Sequence, residues 1–140
     1  MNILVATLKH LKDCVAINTE FQNEYSHPHW FLQESIDHKR VLGAEKDEKI
    51  VGYLLYQILW GNTPFLALIK VTRAFQKKGI GESLEKALLE KLKTEGYHKI
   101  ISSTETINNA GRLFHEKNHF IPLGELKMIY GNEIFYEKDF

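Results

Sequence analysis

A single cysteine, Cys14, stands among 140 residues, so no intramolecular disulfide and no multi-cysteine zinc or iron–sulfur site can form. That usage fits a reducing, cytoplasmic setting. Net charge is missing too: 18 Lys and Arg balance 18 Asp and Glu, which leaves no field to hold a polyphosphate backbone, and nucleic acid is not an expected partner. No apolar run approaches the roughly 20 residues that a membrane-spanning helix needs. The most apolar stretch, residues 50–60, is interrupted by Gly52 and Gln57, so no membrane partner is expected either. Residues 1–6 are apolar but short, lack a basic lead-in and run at once into Lys9, His10 and Lys12. They read as a first strand and not as a secretory signal.

What is present is a chain 44% hydrophobic and 11% aromatic, which excludes disorder and suffices for one core. The expectation is one domain over residues 1–140. Ile3 and Val5 alternate with Leu4 and Ala6, and then Leu8, Leu11, Val15 and residues 18–21 recur at helical spacing, with Thr7 placed to cap. A break at residues 24–28 precedes a shorter helix carrying Trp30, Phe31 and Ile36. From Val41 the period becomes two, giving strands at 41–45, 50–59 and 65–72 separated by turns at 46–49 and 61–64. Ile80, Leu84, Ala87, Leu88 and Leu92 mark one face of a long helix that Gly96 ends, with Glu82 and Lys86 spaced four apart on the other face. A β-branched strand at 99–104 follows, then a helix capped by Asn108 or Asn109 and running to about Asn118, which Pro122 forbids from continuing. Last come strands near 124–130 and 133–138. The order is β-α-α-β-β-β-α-β-α-β-β: an α/β chain with a mixed, mostly antiparallel sheet flanked by helices.

Gln76-Lys77-Lys78-Gly79-Ile80-Gly81 lies between a strand and the long helix. There the first backbone N–H groups lack internal partners and carry positive partial charge, so a pyrophosphate fits. Gly79 and Gly81 let the backbone approach phosphate oxygens, and Arg73, Lys77 and Lys78 supply cations. Two glycines at such a turn are equally ordinary turn chemistry. A Walker loop would need Lys-Ser or Lys-Thr after the glycine, where Gly81 is followed by Glu82, and a dinucleotide fingerprint would need a third glycine where Leu84 stands.

The segment from Val71 to Gly81, together with Asn108 and the order of elements, resembles the GCN5-related N-acetyltransferase family. That resemblance implies an acyl-CoA N-acyltransferase-like fold and acetyl-CoA as co-substrate, with no metal. It implies pyrophosphate on the N–H groups of Lys77, Lys78, Gly79, Ile80, Gly81 and Glu82, with Gln76 opening the loop. Pantetheine would lie along the strand of Ile69 and Val71, Asn108 would bond the pantetheine arm, and the Val71 N–H would stabilise the oxyanion. Three positions depart from the family pattern: Arg73 stands where Pro is frequent, His119 where Gly is usual, and His115 where many members carry a Tyr that protonates the leaving thiolate.

An amine acceptor of pKa near 10 must lose a proton before it attacks a thioester. Glu105, at the end of the fifth strand, is the candidate base, set against the reading of a solvated loop carboxylate. His115 is the candidate acid as imidazolium, set against a packing role. A non-catalytic acyl-CoA-binding module is the alternative function. His115-Glu116-Lys117-Asn118-His119 also fits the HExxH pattern of zinc hydrolases, although Pro122 follows closely enough to leave His119 in a fraying last turn.

Tyr25, His29 and Trp30 lie between the first two helices, which by the same resemblance overhang the acceptor site, so they are candidate substrate-binding residues. Glu20, Glu24, Glu34 and Asp37 give that region an acidic lean suited to a cationic amine, or simply a solvated helix face. Cys14 falls on the apolar face of the first helix and reads as buried and inert. The expected partner is an amine acceptor, to a monomer or homodimer.

Overall fold

The computed structural model describes residues 1–21 and 27–140. Among these residues seven strands form one sheet in the order β1-β2-β3-β4-β5-β7-β6, and the element order matches the sequence expectation. The chain divides into two compact units, one of Met1–Tyr56 with Leu68–Glu90 and the other of Gln57–Ala67 with Lys91–Phe140. No helix among the described residues is long and apolar enough to cross a membrane.

In the first unit, β1 (Asn2–Val5) pairs antiparallel with β2 (Val41–Lys46), and β2 with β3 (Lys49–Leu59). The β2–β3 turn is Asp47-Glu48, both at positive φ (50° and 62°), the hairpin geometry that matches strand twist. Residues 50–56 of β3 are buried at seven successive positions, as befits a strand covered on both faces. Helix α1 (Leu11–Glu20) buries Cys14 and Ile17, α2 (His29–Asp37) buries Leu32 and Ile36, and α3 (Ile80–Thr94) buries Leu84 and Leu88. Thr7 is not the cap by itself. A 3-10 turn at Leu8–His10 precedes α1, and the His10 ring accepts the Thr7 backbone N–H at 2.9 Å. Gly52 of β3 permits a close approach, because a Cβ there would stand 3.2 Å from the Lys70 carbonyl and from Val71 Cγ2, and 3.3 Å from Ile80 Cγ2.

In the second unit, residues 63–67 of β4 (Thr63–Val71) run parallel to β5 (Lys99–Glu105), pairing through Phe65↔Ile101 and Leu66↔Ser102. Pro64, expected in the turn, already belongs to β4 and is buried. β5 pairs antiparallel with β7 (Gly131–Asp139), and β7 with β6 (Ile121–Met128). β6 begins three residues before the expected Gly124 and includes Pro122, which an edge strand tolerates because its missing N–H costs no ladder bond. Gly96, at φ 93°, ends α3, with the Tyr97 N–H bonding the Leu92 carbonyl at 3.0 Å. Helix α4 (Asn109–Lys117) is capped by Asn108, whose side chain accepts from the Gly111 N–H at 3.0 Å. Gly111 is obligatory at this contact: a Cβ would collide with Thr104 Oγ1. The helix ends as the Phe120 N–H reaches the His115 carbonyl at 2.9 Å, with His119 in the left-handed region at φ 66°. A C-terminal turn of this kind normally takes glycine.

Candidate functional site

The glycine loop lies wholly in the first unit. β4 ends at Val71, a 3-10 turn covers Arg73–Phe75, and residues 76–79 lead into α3. The Gln76 side chain donates to the Val71 carbonyl at 3.0 Å, folding the loop back on the strand. Lys77 and Gly79 both adopt positive φ, 61° and 80°, which turns successive N–H groups toward one side. The Gly79 carbonyl accepts from the Ser83 N–H at 3.1 Å and from Ser83 Oγ at 3.0 Å, so Ile80, Gly81 and Glu82 form the first turn of α3. The backbone N–H groups that open an α-helix point out of its N-terminal end. Gly79 has open space where a Cβ would sit, and Lys77 and Lys78 are exposed. The Lys78 ammonium stands 5.2 Å from the Phe75 ring centroid. Ile69 and Val71 are half-buried on β4.

Arg73 does not stand beside Lys77 and Lys78 as a loop cation. Its backbone N–H donates to Glu20 Oε1 at 3.0 Å, its guanidinium reaches the Glu20 carbonyl at 3.4 Å, and it lies 4.7 Å over the Phe21 ring. Thr72 Oγ1 donates to Glu20 Oε2 at 2.5 Å. Glu20, expected only to lend an acidic character, thus ties α1 to the start of the loop. No sequence pattern signals this, since the partners stand far apart along the chain.

Of the candidate substrate residues, Tyr25 lies outside the described residues, as does Glu24. His29 and Trp30 open α2 and are exposed, with Trp30 edge-on to Phe31 at 6.0 Å. His27 is bound through its backbone: Asn18 Oδ1 accepts its N–H at 3.1 Å and Asn18 Nδ2 donates to its carbonyl at 2.6 Å. The buried Lys70 donates to the same Asn18 Oδ1 at 3.2 Å. Burial, and then the charge of Lys70, push the His27 pKa down to about 4. Burial, and then Asp13, push the Cys14 thiol up to about 12, which makes it an inert core residue.

In the second unit, His115 is 5% exposed and its ring is held on every side. Nδ1–H donates to the Gly111 carbonyl at 2.6 Å, and Nε2 stands 2.7 Å from Ser102 Oγ, itself 3.0 Å from the Leu66 carbonyl. The ring stacks on Tyr136 at 4.3 Å and meets Phe120 edge-on at 5.0 Å. Burial lowers its pKa, which the Gly111 bond only partly opposes. An acid needs a charged ring with a donor to spare; this ring is disfavoured as a cation and has both nitrogens engaged. The HExxH reading falls for a related reason: α4 ends at Lys117, so His119 lies beyond the helix and does not share a face with His115.

Asn108 spends its side-chain oxygen on the α4 cap and keeps its amide NH2 as a donor. Glu105 is half-buried at the end of β5, directly opposite Glu133 on β7. Glu133 is buried and accepts from Ser103 Oγ at 2.6 Å.

The profile of the acetyltransferase (GNAT) family matches residues 11–120. Among solved structures, a GNAT-family acetyltransferase from Bacillus cereus is 25% identical, with a TM-score of 0.83 over 99% of this chain and 96% of that one. A ribosomal-protein-alanine N-acetyltransferase from Brucella melitensis is 23% identical, with a TM-score of 0.84 over the full length of both chains. PaiA N-acetyltransferase from Thermoplasma acidophilum, solved in complex with coenzyme A, is 17% identical, with a TM-score of 0.82 over 99% and 98%. No curated protein matches by sequence. The family match runs from the first residue of α1 through the glycine loop to Phe120 at the close of α4, and over that span this chain belongs to the acetyltransferase (GNAT) family.

Proposed function

We propose that the protein is an acetyl-CoA-dependent N-acetyltransferase in which a primary amine attacks the thioester directly within a ternary complex. The carrying observation is the loop at 76–82. Positive φ at Lys77 and Gly79 and the N–H groups at the start of α3 make a positive concavity, flanked by two lysines. That is a fit for the CoA pyrophosphate. Family membership and the coenzyme A bound to the Thermoplasma acidophilum relative support the same ligand. Pantetheine would follow Ile69 and Val71, with the Val71 N–H facing the oxyanion and the Asn108 amide donating to the pantetheine arm. His29 and Trp30 would face the acceptor.

In the reaction the amine, once stripped of its proton by a carboxylate for which Glu105 is the candidate, bonds to the thioester carbon. The carbon–sulfur bond then breaks. A thiol of ordinary pKa, about 8.5, leaves as thiolate and takes its proton from water. His115 has no part in this step and instead fixes α4 to β5. The 140 residues act as one acetyltransferase domain, and the lone buried thiol suits a cytoplasmic setting.

The engaged ring of His115 favours one other reading, an acyl-CoA-binding module without turnover. Calorimetric titration with CoA and acetyl-CoA, followed by thiol release over a panel of primary amines, separates the two. Binding with release is expected. Binding with no release on any amine leaves the module, and no binding of either CoA form overturns both.

A further inference from the structure

β6 is the outer strand of the sheet, with β7 on one side and no strand on the other among the described residues. All eight of its residues are exposed, Leu123, Leu126 and Met128 among them. An open apolar edge is a template for pairing with another strand. Which backbone groups it offers follows from its neighbours. The Asn132 carbonyl accepts the Thr106 N–H at 3.0 Å, and β5 and β7 pair in unbroken register from there, so the even-numbered residues of β7 bond to β5 and the odd-numbered ones to β6. Gly131, Glu133 and Phe135 stand opposite Met128, Leu126 and Gly124. Those residues of β6 bond inward, and Glu125 and Lys127 turn their N–H and C=O groups to the open edge. Neither Glu125 nor Lys127 makes an ion pair among the described residues.

We propose that the protein forms a homodimer by antiparallel pairing of two β6 edges about a two-fold axis at Leu126. This stands independently of the acetyltransferase reading. An added strand must bring its own outward-facing residues opposite Glu125 and Lys127, and β6 of a second copy does so when run antiparallel. Charge then selects the register. An axis at Glu125 or at Lys127 sets like charges directly opposite, which is destabilising. An axis at Leu126 sets Glu125 opposite the partner's Lys127 and Lys127 opposite the partner's Glu125, and each pair exchanges both of its backbone bonds. The same register brings Leu126 beside the partner's Leu126 at the closer, non-bonded position, with Cα atoms about 4.5 Å apart. It also lays Met128 over the partner's Gly124, where a Cβ would meet nothing within 4 Å. The bulge between Pro122 and Gly124 ends the ladder on one side and the β6–β7 turn ends it on the other, so residues 124–128 are the paired segment and Pro122 is not asked for a donor. Lys127, which guards the edge against foreign strands, thus admits a strand that carries a carboxylate in step with it.

The test is sedimentation equilibrium of the full chain over a range of concentrations. A monomer–dimer equilibrium is expected for the parent. Lys127→Glu and Glu125→Lys should each raise the dimer Kd at least about tenfold, because each sets like charges opposite at both pairs. The double variant, Glu125→Lys with Lys127→Glu, restores opposite charges and should regain the parent's Kd. Leu126→Cys should cross-link to its own copy on oxidation, since Cα atoms about 4.5 Å apart suit a disulfide, whereas Glu125→Cys should not. The buried Cys14 does not compete. Should a charge variant lose its cooperative melt, the cross-link at 126 carries the same expectation. A parent that stays monomeric throughout, assembly beyond a dimer, single variants that dimerise like the parent, or a double variant that stays dissociated overturns the proposal. So does cross-linking at 125 in preference to 126, which would put the axis elsewhere.

Discussion

The Glu20 carboxylate holds the backbone N–H of Arg73 at 3.0 Å, and so the last residue of α1 fixes the first turn of the loop that follows β4. The Thr72 hydroxyl and the Arg73 guanidinium add to the same anchor. Exposed bonds of this kind contribute about 0.5–1.5 kcal/mol each, so Glu20→Ala should lower stability by about 1 kcal/mol. Its larger effect should be on the loop, raising the Kd for CoA several-fold in calorimetry. An unchanged Kd would mean that the loop holds its shape without α1.

Gly79 and Gly52 should fail in different ways. At φ 80° an alanine in place of Gly79 costs about 1–2 kcal/mol of backbone strain while meeting no neighbour. Gly79→Ala should therefore weaken CoA binding about tenfold with a modest drop in Tm. Gly52→Val would press on Val71, Ile80 and the Lys70 carbonyl, and overpacking of that kind costs about 1–3 kcal/mol. It should lower Tm more, and an equal Tm for the two variants would contradict this packing account.

The pH dependence of stability follows from two histidines. Burial holds His115 below its ordinary value and takes His27 from 6.5 to about 4. The unfolded chain then gains protons at a higher pH than the folded chain, so stability is full above about 6.5 and falls as pH drops toward 4. Urea melts at pH 7.5, 6 and 5 should show this decline, and His27→Gln should flatten it. A parent protein as stable at pH 5 as at pH 7.5 would show that these rings are not buried as described.

His119 occupies the left-handed position that closes α4. His119→Gly should stabilise by about 1 kcal/mol, raising Tm by about 3–5 °C. A fall in Tm would show that the histidine ring contributes more than its backbone costs.

Much of the fold was legible because each element carries its own local signal. The switch from helical to alternating spacing at Val41 locates the meander, Asn108 announces α4, and Gly96 announces the end of α3. Boundaries were less legible around proline: Pro64 read as turn yet lies in β4, and while α4 does stop ahead of Pro122, the next strand already starts at Ile121 because an edge strand does not miss the donor. The glycine loop was legible because its chemistry is local. The fate of His115 was not, since its partners Ser102, Leu66 and Tyr136 come from three strands that only folding brings to α4. Arg73 misled for the same reason, its charge being taken up by a helix far earlier in the chain.

The fit of Gly111 against Thr104 constrains how this chain can evolve. With no room for a methyl group between α4 and the β5 hydroxyl, any side chain at 111 is barred while threonine stays at 104. Thr104→Ala removes the nearest obstruction, after which alanine at 111 still meets the Asn108 amide at 2.9 Å, so the capping side chain must give as well. The two positions therefore have a permitted order of change, and a lineage that departs at 111 should already carry a smaller residue at 104.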